Sequence, residues 1–259
     1  MTHHLTVTRE GHAARVTLNR PDVRNAFNEA LIAELTATFS ALGQDARLRA
    51  IVLAAEGKAF CAGADLNWMK AMAGYSWEEN HADAGRLAQM LWTIYSCPVP
   101  VIARVQGDVY AGGVGLVSCC DIVVAVESAG FCLSEAKLGL LPATIAPYVV
   151  RALGEQASRR YFVTAERFTA AEAHRLGLVH ELATAETLDE KVVALTSAIA
   201  GSGPAAVRAC KKLVQDVAHA PITPTLREDT ARRIADIRAS DEGRSGVQSF
   251  LGKTPPPWL

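Results

Sequence analysis

A chain of 259 residues, half of them hydrophobic, is long enough to bury a substantial core, and its length admits one domain or two. A net charge of −1 excludes bulk electrostatic attraction to nucleic acid or to an anionic membrane. No apolar run approaches the ~20 residues of a membrane span, and Met1 to Arg20 alternates polar and apolar residues unlike a secretory signal. The six cysteines include no CxxC pair and no histidine at ligand spacing, so no metal site is expected and a cytoplasmic protein is the simplest expectation.

In chain order, Leu5 and Val7 alternate with polar residues, Glu10-Gly11-His12 turns, and Val16 and Leu18 alternate again, which predicts a hairpin. Asn28 is placed to cap a helix with Leu31, Leu35 and Leu42 on one face, ending near Gly43. Ala50 to Ala54 reads as a short buried strand. Trp77 to Ser96 reads as a helix with a stripe of Leu87, Met90, Leu91 and Ile94, stopped by Pro98 and Pro100. Strand resumes over Val99 to Val105, a small-residue helix follows over Gly112 to Cys120, and Ile122 to Val126 is strand again. Thr169-x-x-Glu172 and Thr187-x-x-Glu190 both match a capping box and predict helix starts. The last sixty residues are mostly helical, broken at Pro204, Pro221 and Pro224. Strand and helix alternate without a low-complexity linker, so the class is α/β or α+β.

Two small-residue turns stand out. Ala62-Gly63-Ala64 and Ala111-Gly112-Gly113 have little bulk to shield their N–H groups, and two such donors aimed at one carbonyl oxygen make an oxyanion hole. Read otherwise, both are only tight turns. Glu135, between Phe131-Cys132-Leu133 and Leu138 to Leu141, is a carboxylate in apolar surroundings suited to moving a proton, or else a surface residue paired with Lys137. Cys61 lies in the first motif with no adjacent base, so small-residue packing fits it better than a nucleophile's role. Trp68 to Glu79 has mixed polarity and is expected to form a flap, and His81 reads as a solvated helix histidine.

In combination, Lys58 to Leu66, then Val105-Gln106-Gly107 through Ala111-Gly112-Gly113 to Cys120-Asp121-Ile122, then Phe131 to Leu140, resemble the enoyl-CoA hydratase/isomerase (crotonase) superfamily over nearly the whole chain. That resemblance implies an α/β fold: a crotonase-like spiral of ββα units over 1–195, with a C-terminal helical trimerisation region over 196–259. It implies a homotrimer or a dimer of trimers, an acyl-CoA substrate, and no cofactor besides the CoA the substrate carries. The family's oxyanion donors fall on the N–H groups of Ala64 and Gly112, and its proton carrier on Glu135. Its CoA contacts fall on Arg24, Asn25, Ala26, Ala62, Asp65 and Leu66, with Phe250 and Lys253 reaching CoA across a subunit boundary.

One position departs from that pattern. Typical hydratases carry a second catalytic glutamate, and its position here is Gly115. Asp108, Tyr110 and Ser118 are the nearby polar residues in sequence. The run from Cys132 to Val150, with Arg159-Arg160-Tyr161 and Thr164 to Phe168, is similar to bacterial methylglutaconyl-CoA hydratases and to carboxygeranoyl-type hydratases. Their substrates bear a distal carboxylate, for which Lys137, Lys70 and Arg86 are candidate partners. The expected activity is hydration of such an enoyl-CoA; the alternatives are a double-bond isomerase using Glu135 alone, and an RNA-binding protein that keeps only the fold, against which the balanced charge argues.

Overall fold

The computed structural model describes residues 4–259. The predicted hairpin is present as β1 (Leu5–Glu10) and β2 (Ala13–Leu18), paired antiparallel. Asn28 caps α1 (Glu29–Gln44), its side chain accepting the N–H of Leu31 at 2.8 Å. Strand β3 (Ala50–Ala55) is buried along its whole length, as a parallel strand covered on both faces must be.

Three strand pairs then follow one plan. Strand β3 is succeeded by β4 (Ala59–Cys61), β5 (Val101–Val105) by β6 (Asp108–Tyr110), and β7 (Ile122–Val126) by β8 (Gly130–Cys132). The first of each pair joins a six-stranded sheet of order β1-β2-β3-β5-β7-β10, where β10 is Glu181–Ala183. The second joins a four-stranded sheet, β4-β6-β8-β9, with β9 (Arg167–Thr169) antiparallel at its edge. Helices return the chain between pairs: α2 (Leu66–Met72) and α3 (Trp77–Tyr95) after β4, and α4 (Gly112–Ser118) after β6. This is the spiral of ββα units that the sequence resemblance implies.

The remaining helices are α5 (Ala146–Leu153), α6 (Glu155–Thr164), α7 (Ala170–Arg175), α8 (Leu188–Ala200), α9 (Pro204–Val217), α10 (Pro224–Ala239) and α11 (Asp241–Gly252). The division expected at 195/196 falls inside α8, and the helical run is interrupted at 201–203, between α8 and α9. Of the two capping boxes read from sequence, Thr169 caps α7 by accepting the N–H of Glu172 at 3.1 Å. Thr187 precedes α8 but makes no cap bond; its hydroxyl accepts the N–H of Thr184. A complete box forms where none was predicted, between Ser76 and Glu79 at the start of α3. No single described helix is long and apolar enough to cross a membrane.

The small sheet positions the site. Strands β4, β6 and β8 are parallel neighbours, with Cys61 opposite Val109 and Val109 opposite Phe131. Their C-terminal exits therefore emerge side by side, ~4.8 Å apart from strand to strand. Those exits are Ala62-Gly63-Ala64, Ala111-Gly112 and Leu133-Ser134-Glu135, the three segments singled out by sequence.

Candidate active site

The turn after β4 is held against the loop that follows the hairpin. Phe27 and Ala64 form an isolated parallel bridge, in which Phe27 N–H bonds Gly63 C=O at 2.7 Å and Asp65 N–H bonds Phe27 C=O at 2.8 Å. Bonding through residues 63 and 65 turns the N–H of Ala64 the other way, and no acceptor among the described residues takes it. The N–H of Gly112 opens α4 and likewise has no partner, as a first-turn amide has none within its helix.

Packing shows why both turns need small residues. Gly63 has φ +88°, and a Cβ there would lie 2.9 Å from the Cβ of Ala111. A Cβ on Gly113 would lie 2.9 Å from the Cβ of Cys61, and one on Gly112 would lie 3.0 Å from the Phe27 ring. The two turns are thus in direct contact. Ala111 sits at φ 48°, ψ −121°, backbone strain at the residue that aims the Gly112 N–H. Cys61 is fully buried and its thiol is pushed up to about 12 by burial, so it is a packing residue and not a nucleophile.

Glu135 lies in a one-turn 3₁₀ segment, Glu135–Leu138, after β8. It makes no ion pair with Lys137, which is exposed. Its Oε2 is buried without a partner, and burial holds its pKa above the usual carboxylate value. Glu135, Ala62, Ala64, Ala111 and Gly112 line one cavity of about 370 Å³. Its apolar wall includes Trp68, Met72, Leu87, Leu141 and Ile145. A carboxylate able to carry a proton thus shares the cavity with the turns bearing the two open backbone donors.

The position of the absent glutamate is closed by packing. A Cβ on Gly115 would lie 2.1 Å from Cγ2 and 2.4 Å from Cβ of Ile145. Ile145 occupies the space a second carboxylate on α4 would need. Asp108, Tyr110 and Ser118 do not line the cavity. Asp108 pairs with Arg167 at 2.9 Å, and Ser118 bonds the carbonyl of Val114 at 2.8 Å.

The residues expected to contact CoA divide into groups. Arg24 and Leu66 are exposed, Leu66 at 74%. Asn25 is fully buried and frames the turn, donating to the carbonyls of Glu56 and Ala59 and accepting from Arg20 N–H. Asp65 caps α2 through Asn67 N–H and pairs with Arg20 at 2.7 Å. Burial raises its pKa, but the bonds from Arg20 and Asn67 outweigh that and hold it below the usual value. Ala26 is buried beside Phe27. Phe250 and Lys253, at the end of α11, are exposed and do not line the cavity.

Lys70 and Lys137 do not line it either; Arg86 reaches it indirectly, bonded at 2.6 Å to the lining residue Asp83. The predicted flap contains most of α2 and the start of α3. Its Trp68 is buried, with Nε1–H on Asp83 at 3.4 Å. His81 is exposed and stacks on Trp77.

Sequence reasoning missed Arg20, Ile145 and Asp83. A larger cavity, about 590 Å³, contains none of Glu135, Ala64 and Gly112, and its Asp121 is already paired with Lys211 at 2.6 Å. Among the described residues no cluster of three His, Cys, Asp or Glu side chains could hold a metal ion.

The sequence profile of a family described as "Enoyl-CoA hydratase/isomerase" matches residues 8–259. The crystal structure of an enoyl-CoA hydratase from Shewanella pealeana superposes with a TM-score of 0.96 at 40% identity, covering 99% of this chain and 96% of that one. The 2,3-dehydroadipyl-CoA hydratase of Escherichia coli K12 is 30% identical over 97% of both chains. Enoyl-CoA hydratase ACTT6 of Alternaria alternata is 33% identical over 94% of this chain and 80% of its own length.

Proposed function

Because the chain belongs to the enoyl-CoA hydratase/isomerase family, we propose that it adds water reversibly across the α,β double bond of an acyl-CoA thioester. The observation that carries this reading is the meeting of the open Ala64 and Gly112 turns with the desolvated Glu135 in one cavity. The two N–H groups hold the thioester oxygen, and their hold tightens as that oxygen becomes an enolate. Glu135 takes a proton from water as the water oxygen bonds the β carbon, and the π electrons pass to the thioester. The same carboxyl then returns that proton to the α carbon, so one carboxylate completes the cycle. Loss of one oxyanion donor typically costs ~10²–10³ in rate.

Within that class the acyl group we propose is 3-methylglutaconyl. The sequence from Cys132 to Val150 supports it, as does the relative whose name specifies 2,3-dehydroadipyl-CoA. Arg86 is the candidate cation for the distal carboxylate, since it alone of the three bonds a lining side chain. CoA enters as part of the substrate, and a trimer or dimer of trimers is the proposed assembly, with Phe250 and Lys253 serving a neighbouring subunit.

One observation favours a second reading. Ile145 closes the position at Gly115, and Glu135 alone suffices to move a proton between two carbons. That is a double-bond isomerase. Product mass separates the two: incubation with 3-methylglutaconyl-CoA and crotonyl-CoA gives a gain of one water for a hydratase. No gain, with conversion of a β,γ-enoyl-CoA at constant mass, overturns it in favour of isomerisation.

A further inference from the structure

The cavity holds two titratable side chains, and the mechanism above uses only Glu135. The other is Asp83 on α3, buried at 3% exposure. Its Oδ1 accepts the Trp68 indole N–H at 3.4 Å and Arg86 Nη2 at 2.6 Å, and Arg86 is braced by Glu29 at 3.2 Å. These contacts fix the carboxyl plane. Oδ2 accepts from no donor among the described residues. Nor is it sealed: among the described residues the buried unpartnered side-chain oxygens are Gln106 Oε1 and Glu135 Oε2. Oδ2 is therefore open on a residue that lines the cavity.

A water that attacks carbon is better oriented when a second acceptor holds the hydrogen that the base does not take. Helix α4 supplies none, because Gly115 has no side chain and Ile145 fills the space. Asn80, the neighbouring polar residue on α3, donates its amide to the carbonyls of Tyr75 and Ser76, and its Oδ1 is a neutral, weaker acceptor than a carboxylate. An ionised carboxylate is acceptor-only, and a charged acceptor makes the stronger hydrogen bond.

We propose that Asp83 is the second carboxylate of the reaction, displaced from α4 to α3. Its Oδ2 accepts one hydrogen of the attacking water while Glu135 removes the other. The hydrogen facing Asp83 stays on oxygen and becomes the hydroxyl of the product. The proton on Glu135 goes to the α carbon, and both carboxylates end as they began. The two acids thus divide the work, one holding and one transferring. This proposal rests on the hydratase reading.

The Asp83→Asn variant isolates the role. Asparagine offers the same carbonyl oxygen to Trp68 and Arg86, but places an NH₂ group, which cannot accept, at the position of Oδ2. With crotonyl-CoA, kcat is expected to fall ~10²–10³-fold. Affinity for butyryl-CoA, which is saturated and takes no water, should stay within about threefold by calorimetry. Partial recovery of the Asp83→Ala rate by added formate would also support the role. A hydration rate for Asp83→Asn within about threefold of the parent overturns it. So does a loss of rate matched by an equal loss of butyryl-CoA affinity, which marks a packing residue. A parent protein that hydrates no enoyl-CoA sinks both readings; one that hydrates as fast as Asp83→Asn sinks this one alone.

Discussion

Replacing Gly115 by alanine tests whether packing, and not only chemistry, forbids a side chain on the cavity side of α4. The added Cβ would stand 2.4 Å from Ile145 Cβ and 2.1 Å from its Cγ2. Rotation about χ1 moves Cγ2 but leaves Cβ in place, so the 2.4 Å contact is fixed by the backbone. Relief requires α4 and the segment ending at Ile145 to separate by roughly 1 Å, the shortfall from ordinary contact. Overpacking of this kind costs typically ~1–3 kcal/mol, and the absence of rotamer relief places it near the upper end. Alanine in place of glycine inside a helix returns about 1 kcal/mol. The net expectation is a loss of about 2 kcal/mol, a drop in Tm of ~4–8 °C for a chain of this size. Urea unfolding of Gly115→Ala, Ile145→Ala and the double variant reads this directly. The double variant should be more stable than the sum of the single losses predicts, because each change removes the other's clash or cavity. A neutral or stabilising Gly115→Ala would refute the claim that Ile145 fills the vacated position.

Three further outcomes are expected. Glu135→Gln should stabilise the fold at neutral pH, since burial raises the Glu135 pKa and the ionised form carries the desolvation cost. That gain is full above the raised folded-state pKa and should vanish below 4.5, the unperturbed value, in urea titrations across pH. Arg20→Ala strips Asp65 of its buried partner and should cost ~3–5 kcal/mol, read by the same unfolding assay. Arg86→Ala should raise KM for 3-methylglutaconyl-CoA at least about tenfold, with a much smaller change in KM for crotonyl-CoA, while kcat falls on both as Asp83 loses its partner; equal changes in KM would remove Arg86 as the carboxylate partner.

Much of the fold was legible because its signals are local. The hairpin showed in period-two alternation, α1 in the Asn28 cap, and α3 in the stripe from Leu87 to Ile94. The four-stranded sheet was not legible: β4, β6, β8 and β9 are three residues each, too short to show a period, and exist through lateral pairing. Yet that sheet is what brings Ala64, Gly112 and Glu135 together. Their motifs were readable in sequence, while the reason for their meeting lay in strand order.

Residues acting through long-range contacts were hidden in the same way. Asp83 looks like one acid among the charges of a solvated helix end, but it lies four residues before Leu87 and continues the buried stripe. An acid at a stripe position was the available signal. Arg20 and Ile145 gave no comparable sign, since the Arg20 pair spans 45 residues and the Ile145 contact joins α4 to a loop thirty positions on.

The most direct measurement is the hydration rate of Glu135→Gln at saturating enoyl-CoA beside that of the parent, with product mass followed for each. A single proton carrier predicts a gain of one water by the parent and a loss of ~10²–10⁴-fold in kcat for the variant, with acyl-CoA still bound. Full hydration by Glu135→Gln would contradict the assignment of proton transfer to that carboxylate.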